Sequence, residues 1–258
     1  MVYLFSAAGR AALYDFVRQS TLYAFDLDGT LAPIVDDPAG IAIQDEVRQS
    51  LIQLNDITPV AVITGRSRAD ALSHLGFSPR FLVGNHGAEG LPGKGTNRQN
   101  YTQICEGWKD QLTRVLPDMS AWGISLEEKG ETIALHYRQA ADPAGARKSI
   151  LDAIARLTPP PRLVSGIFVK NLMPRCAPHK GEALEVLIRH LQCHRAIFVG
   201  DDITDEDVFR LKNPSILSIR VGKDLESAAC YFLQGQHEMI RLLREMIGFL
   251  KPELKPSA

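Results

Sequence analysis

Two aspartates, Asp26 and Asp28, follow an apolar run in Tyr23-Ala24-Phe25-Asp26-Leu27-Asp28-Gly29-Thr30-Leu31. In an extended segment residues i and i+2 face the same side, so the two carboxylates converge. Gly29 then lets the backbone turn sharply. Convergent carboxylates either hold a hard divalent cation or divide nucleophilic and acid–base roles between them. A lone strand-end aspartate is commonly a turn cap, which accounts for one of the pair and not for Asp-Leu-Asp-Gly-Thr. A second acidic string, Gly200-Asp201-Asp202-Ile203-Thr204-Asp205-Glu206-Asp207, ends another apolar run. Its crowded carboxylates repel one another unless a cation or a lysine compensates them. A helix N-terminus accounts for Thr204–Asp207, but not for Asp201 and Asp202, which come straight off the run.

Two weaker signals lie between the acidic strings. Val62-Ile63-Thr64-Gly65-Arg66-Ser67 ends an apolar run with a hydroxyl and free N–H groups suited to a phosphoryl oxygen, although Thr-Gly is also a common turn. Lys180, in Pro178-His179-Lys180-Gly181-Glu182, opens a helical pattern at the end where the macrodipole disfavours a cation. The competing reading of Lys180 is an ordinary solvated side chain.

These residues need elements to position them, and the apolar pattern supplies a set. Strands are expected at Leu22–Phe25, Pro59–Ile63, Phe81–Val83 and Ala196–Val199. Helices are expected at Val47–Leu54, at Ala69–Leu75 closed by Gly76, and at Gly181–Leu191. Continuous apolar strands alternating with helices predict a parallel sheet covered on both faces. Acidic strings at two strand ends of one such sheet imply a shared metal at its carboxyl edge. The middle of the chain reads differently: helix at Tyr101–Leu116, strands at Gly123–Glu128 and Thr132–Arg138, helix at Pro143–Arg156 and strand at Arg162–Phe168. That grouping predicts an α+β insert, with hinges at Gly90–Asn97 and Asn171–His179 and a stiff Pro159-Pro160-Pro161 connector inside it.

Composition limits the classes of function. The chain has 258 residues, 45% hydrophobic and 23% charged, so it is an ordinary globular protein of between one and two domains. Lys+Arg 29 against Asp+Glu 30 gives a net charge of −1, which favours no nucleic-acid partner and no acidic tether. Cys105, Cys176, Cys193 and Cys230 form no CxxC pair and are expected to be buried, reduced thiols. Met1–Ala8 lacks a preceding positive region and the amphipathic-looking stretch Ala11–Ser20 follows it, so a short surface helix is expected at the N-terminus in place of a signal peptide. With no apolar stretch of membrane length, a cytoplasmic location is expected. A frayed tail is expected from Lys251, past Pro252 and Pro256.

The strings resemble, in order, the signature motifs of the haloacid-dehalogenase-like (HAD) phosphohydrolases. More closely they are similar to the trehalose-6-phosphate phosphatase branch. The resemblance rests on Asp26-Leu27-Asp28-Gly29-Thr30-Leu31-Ala32-Pro33-Ile34, Thr64-Gly65-Arg66, Gly84-Asn85-His86-Gly87-Ala88-Glu89, Glu127-Glu128-Lys129, His136-Tyr137-Arg138, Lys180-Gly181-Glu182-Ala183 and Gly200-Asp201-Asp202-Ile203-Thr204-Asp205-Glu206. It implies an α/β fold: a Rossmann-like parallel-sheet HAD core, residues 1–100 and 169–258, carrying an inserted α+β cap, residues 101–168. One position departs from the pattern. Val169-Lys170-Asn171-Leu172-Met173-Pro174 puts Asn171 where the branch usually carries a glutamate, which bears on the sugar and not on the reaction.

The resemblance implies a Mg²⁺-dependent phosphatase acting on trehalose 6-phosphate. Asp26 would be the nucleophile that forms an aspartyl-phosphate, and Asp28 the acid and base. Asp26, the backbone carbonyl of Asp28 and Asp201 would hold Mg²⁺, with Thr64 and Lys180 on the phosphoryl oxygens. Asp202 and Asp205 would position Lys180 and the metal shell. Arg66, His86, Glu89, Glu127, Lys129 and Arg138, with His136, are the substrate-binding candidates. The partner expected is a small sugar phosphate, with no nucleic acid, no membrane and no obligate protein. The competing readings are the same chemistry on another glycosyl phosphate, a phosphoacceptor domain and a silent sugar-phosphate sensor. A phosphoacceptor leaves Asp28 and the insert unexplained, and a sensor needs no nucleophile.

Overall fold

The chain begins β1 (Val2–Tyr3), α1 (Ala7–Phe16), β2 (Thr21–Phe25), α2 (Asp45–Ile57), β3 (Val60–Ile63), α3 (Arg68–Leu75) and β4 (Phe81–Val83). It continues α4 (Gly95–Val115), β5 (Ser125–Glu128), β6 (Ile133–His136), α5 (Pro143–Ile154), β7 (Arg162–Gly166) and β8 (Val169–Met173). It closes with α6 (Lys180–Leu191), β9 (Arg195–Gly200), α7 (Glu206–Phe209), β10 (Ile216–Val221), β11 (Tyr231–Leu233) and α8 (Met239–Leu250). The computed structural model describes residues 1–35, 40–93 and 95–251. The tail expected to fray, with Pro252 and Pro256, lies outside them.

Contacts divide the chain into two units, Met1–Pro92 with the chain from His179 on, and Gly93–Pro178. The first holds a seven-stranded sheet in the order β1-β11-β10-β9-β2-β3-β4, parallel throughout. Strands β2, β3 and the last five residues of β9 are buried on both faces, which is why they read as continuous apolar runs. Helix α2 contributes Val47, Leu51 and Leu54, one stripe at helical spacing, to the larger of the two cores flanking the sheet. Helix α6 contributes Ala183, Leu184 and Leu187 to the other. From β2 the chain steps outward through β3 and β4, and from β9 outward through β10 and β11. The sheet therefore reverses direction between β2 and β9, where parallel α/β sheets open a crevice at their carboxyl edge.

The second unit is a four-stranded antiparallel sheet, β5-β6-β8-β7, with α4 and α5 on one face. Ile133, Leu135 and Leu172 point into that helical core with Trp108 of α4 and Ile150 of α5. The Thr158–Pro161 connector is pinned to α4: Trp108 Nε1 donates to the Pro159 carbonyl at 2.6 Å, and Gln111 both donates to and accepts from Thr158 at 2.8 Å.

Several expectations need correction. Of the expected hinge Asn171–His179, residues Asn171–Met173 belong to a strand of the antiparallel sheet, with Asn171 opposite both Ala134 and Val164. The division between the units falls at the other end of that stretch, between Pro178 and His179. Leu172 packs into the second core, and that unit extends to Pro178 where the sequence reading ended it at Phe168. It also begins earlier, because α4 starts at Gly95 and not at Tyr101. The N-terminal helix is α1, which starts only at Ala7; before it Val2 and Tyr3 pair with β11, and Leu4 is buried beside them. Of the cysteines only Cys105 is buried, while Cys176 and Cys230 are exposed, and all four are free. Among the described residues no helix is long and apolar enough to cross a membrane.

Candidate active site

Asp26 is the first residue past β2, and its N–H donates to the Val199 carbonyl of β9 at 2.9 Å. Phe25 and Val199 are in register, so the two acidic strings leave the sheet side by side. The turn after Asp26 is tight, with Leu31 and Ala32 both donating to the Leu27 carbonyl at 2.9 Å. Gly29 sits in the left-handed region at φ 79°, and a Cβ there would lie 2.0 Å from an Asp201 carboxylate oxygen. Only glycine allows that approach. Thr30 Oγ1 then donates to Asp201 Oδ1 at 3.0 Å, tying the two loops together.

Lys180 occupies the first position of α6, which His179 caps: its Nδ1 accepts from Gly181 N and Glu182 N, and Glu182 returns the bond to His179 N. The lysine side chain is fully buried and does not reach solvent. Its Nζ donates to Asp205 Oδ1 at 2.8 Å and lies 3.0 Å from Asp26 Oδ1. Asp205 uses its other oxygen to accept from Asp201 N and Asp202 N, each at 2.9 Å. Burial alone would strip the proton from Lys180, but Asp205 and Asp26 outweigh it and hold the ammonium above its ordinary value.

Carboxylate oxygens of Asp26, Asp201 and Asp205 lie within 4.8 Å of one another. Three carboxylates around one ammonium leave uncompensated negative charge. Burial, with Asp205 and Asp201 nearby, therefore pushes Asp26 well above the ordinary carboxylate range against the pull of Lys180. Asp201 is pushed up to about 7 by burial and by Asp205, opposed by Thr30 and Lys180. A cluster of hard oxygen donors in that condition suits a divalent cation, which would stand in for the protons. The cluster brings together Asp26 and Asp201, both expected to hold a metal. Asp205, expected behind the metal, belongs to the same cluster.

The other expected residues divide into groups. Asp28 is paired with Arg66, whose Nε and Nη2 grip it at 2.7–3.1 Å while Nη1 holds Asp70 at 2.8 Å. Thr64 is buried at the end of β3, and its Oγ1 accepts the Arg66 N–H at 3.2 Å. His86 donates its backbone N–H to the Thr64 carbonyl at 2.9 Å, and its ring lies against Gly65, where a Cβ would be 2.3 Å away. Glu89 is buried and caps the turn, accepting from Arg68 N at 2.7 Å and Asn85 Nδ2 at 3.3 Å. Asp202 is exposed.

Within the second unit, Glu127 Oε2 meets His136 Nε2 at 2.7 Å and Lys129 Nζ at 3.6 Å. The hydrogen bond to His136, helped by the charge of Lys129, holds the Glu127 carboxyl below its usual range. Register puts Glu127, Ala134, Asn171 and Val164 in one cross-strand row, on the sheet face away from α4 and α5. The Arg138 guanidinium lies over the Phe168 ring, 5.7 Å from the centroid.

Residues 24–236 match the family model of the trehalose-phosphatases. A trehalose-phosphate phosphatase of Mycobacterium marinum is 35% identical over 226 residues, 82% of this chain and 57% of that protein. The chain therefore spans little more than half the length of such curated relatives. Two solved structures share the fold. The C-terminal domain of a C. albicans trehalose-6-phosphate phosphatase has TM-score 0.68 at 21% identity, covering 93% of this chain and 96% of that one. A trehalose-6-phosphate phosphatase related protein has TM-score 0.70 at 22% identity, covering 88% and 98%. The chain belongs to the trehalose-phosphatase family.

The charge imbalance predicts how the metal-free protein responds to pH. Asp201 ionises near its ordinary value of 3.8 when unfolded and at about 7 when folded. Between those values the folded state holds the extra proton, so stability falls as pH rises. The slope is up to about 1.4 kcal/mol per pH unit for each such proton, and Asp26 shifts the same way. Urea unfolding in chelator across this window should show the decline, and Asp201→Asn should flatten it. A stability that rises through the window would contradict the charge assignment.

Proposed function

We propose that this chain, as a member of its family, hydrolyses the phosphate ester of trehalose 6-phosphate through an aspartyl-phosphate on Asp26. The observation that carries the reading is Asp26 itself, a buried carboxylate at the sheet's switch point with Lys180 on one side and Asp201 on the other. Asp26 attacks phosphorus in line while the bond to the sugar oxygen breaks, and Asp28 donates a proton to that oxygen. Asp28 then takes a proton from the water that attacks the phosphoenzyme, and inorganic phosphate leaves with Asp26 restored. Asp28 serves only once the Arg66 fork releases it, and Arg66 is then free to meet the phosphate. Lys180 and Thr64 are assigned to the equatorial oxygens, where negative charge needs fixed partners.

Asp26, the backbone carbonyl of Asp28 and Asp201 would hold Mg²⁺, with Asp205 beside them. When bound, that ion supplies neutralisation of phosphate charge and in-line orientation. Asp205 positions Lys180 through the 2.8 Å bond and fixes the loop through two backbone N–H groups.

Glu127 and Lys129 are assigned to the glycosyl part of the substrate. His136, which holds Glu127, orients it, and His86, Glu89 and Arg138 are kept as lesser candidates. A second reading, the same chemistry on another glycosyl phosphate, is favoured by Asn171, a weaker acceptor than a carboxylate in the row that contains Glu127. The reaction is assigned to the cytoplasm, since the free cysteines fit a reducing compartment.

Phosphate release from trehalose 6-phosphate should require Mg²⁺ and stop in chelator. Asp26→Asn, nearly isosteric but unable to attack phosphorus, should abolish it with the circular dichroism unchanged. Activity of that variant within about tenfold of wild type would remove Asp26 as nucleophile.

The sugar assignment has a separate test. Glu127→Ala or Lys129→Ala should lower kcat/KM for trehalose 6-phosphate by on the order of 100-fold through lost charge-assisted contacts. Turnover of a small aryl phosphate, which lacks the sugar, should barely change. Equal losses on both substrates would count against the assignment.

A further inference from the structure

The acidic loop Gly200–Asp207 presents Asp201 and Asp205 to the cluster, yet its own carboxylates repel one another. Asp205 restrains it from the front. Both of its oxygens are already engaged by Lys180, Asp201 N and Asp202 N. A second restraint comes from the neighbouring strand. Arg220 of β10 is paired in register with Gly200 of β9, and its side chain is 13% exposed. Its Nη1 lies 3.4 Å from both the Asp202 carbonyl and Glu206 Oε1, and its Nη2 lies 3.5 Å from Asp224. Glu206 is buried, and its other oxygen accepts the Ala228 N–H at 3.0 Å. Neither Arg220 nor Glu206 has a part in the chemistry described above.

We propose that Arg220 and Glu206 are positioning residues that set the metal affinity of the acidic loop, a reading that rests on the Mg²⁺ site assigned above. The guanidinium supplies a positive charge on the Asp202–Glu206 side of the loop. It fixes the loop by one backbone carbonyl and one side chain without neutralising Asp201 or Asp205, which stay available to a cation. Glu206 transmits that grip to the chain at Ala228, so the loop is tied to two further segments of the carboxyl edge, the end of β10 and the approach to β11. Partners behind the ligands of a metal govern affinity because a misplaced ligand must be reordered each time the ion binds.

The test is Mg²⁺ binding by calorimetry to metal-free protein without substrate, together with the melting temperature with and without Mg²⁺. Arg220→Lys keeps the charge and loses the planar fork. Glu206→Gln keeps the shape and an acceptor for Ala228, and loses the charge. Each should weaken Mg²⁺ binding by about 10- to 100-fold and shrink the Mg²⁺-induced rise in melting temperature. The double variant should be little worse than the poorer single one, because both open one contact. If Arg220→Lys fails to fold, Glu206→Gln carries the same comparison. Melting temperatures lowered equally with and without Mg²⁺, at unchanged affinity, would mean a merely structural pair and overturn the proposal. Wild-type protein that takes up no Mg²⁺ would overturn the metal assignment and this proposal together. Wild-type uptake that Asp201→Asn abolishes, with both pair variants binding normally, would overturn this proposal alone.

Discussion

The ammonium of Lys180, enclosed between Asp26 and Asp205, is the interaction on which the carboxyl edge of the sheet depends. Burying three charged side chains from distant parts of the chain carries a desolvation cost that their mutual attraction repays only in good geometry. The fold supplies that geometry rigidly. Asp26 directly follows β2, an interior strand of the sheet, Lys180 sits at a helix start held by the His179 capping box, and Asp205 follows Gly200, where a Cβ would lie 2.3 Å from the Asp205 carboxyl carbon. The lysine satisfies only part of the negative charge. Burial first, and the remaining negative charge after it, raise the Asp26 and Asp201 carboxyls and make the edge a place where a cation is wanted.

That placement follows from topology more than from any local motif. Residues 26, 64, 180 and 201 are far apart in sequence, and the parallel sheet brings three of them to the carboxyl ends of adjacent strands, β9, β2 and β3. Reversal of strand order between β2 and β9 lets both acidic strings diverge from neighbouring strands without a helix crossing between them. Thr30 and Gly29 then fit the first loop against the second, one by a hydrogen bond and the other by having no side chain.

Much of this was legible in the sequence because the buried strands β2, β3 and β9 are continuous apolar runs with chemistry at their ends. The same rule hid other elements. β1 is two residues long and gains its stability only by pairing with β11, at the far end of the chain. β8 alternates Lys170 and Leu172 toward the helical core with Asn171 and Met173 on the other face, and its neighbouring prolines look like a hinge. The Arg66 fork on Asp28 and the Arg220 contact with Glu206 were invisible for a different reason. A long cationic side chain can be solvated or can reach several ångströms to a partner, and local sequence does not encode which.

On the proposed function, the two units differ in the kind of interaction each would supply. The first buries its charges, so its groups are few, fixed and suited to a phosphoryl group whose shape is the same in every ester. The second offers a half-exposed sheet face, where Glu127 is held by His136 and Lys129 with room to exchange partners. Exchange is what a polyhydroxylated ligand requires, because each sugar hydroxyl must replace a bond already made to water or to a neighbouring side chain. Asn171 lies two strands from Glu127 in the same row and is 9% exposed. An amide there both donates and accepts, where a carboxylate only accepts. On the proposed function, a change at that row would alter which hydroxyl pattern is favoured while leaving Asp26, Lys180 and Asp201 untouched. Under that assignment, substrate choice would be free to drift without the chemistry following it.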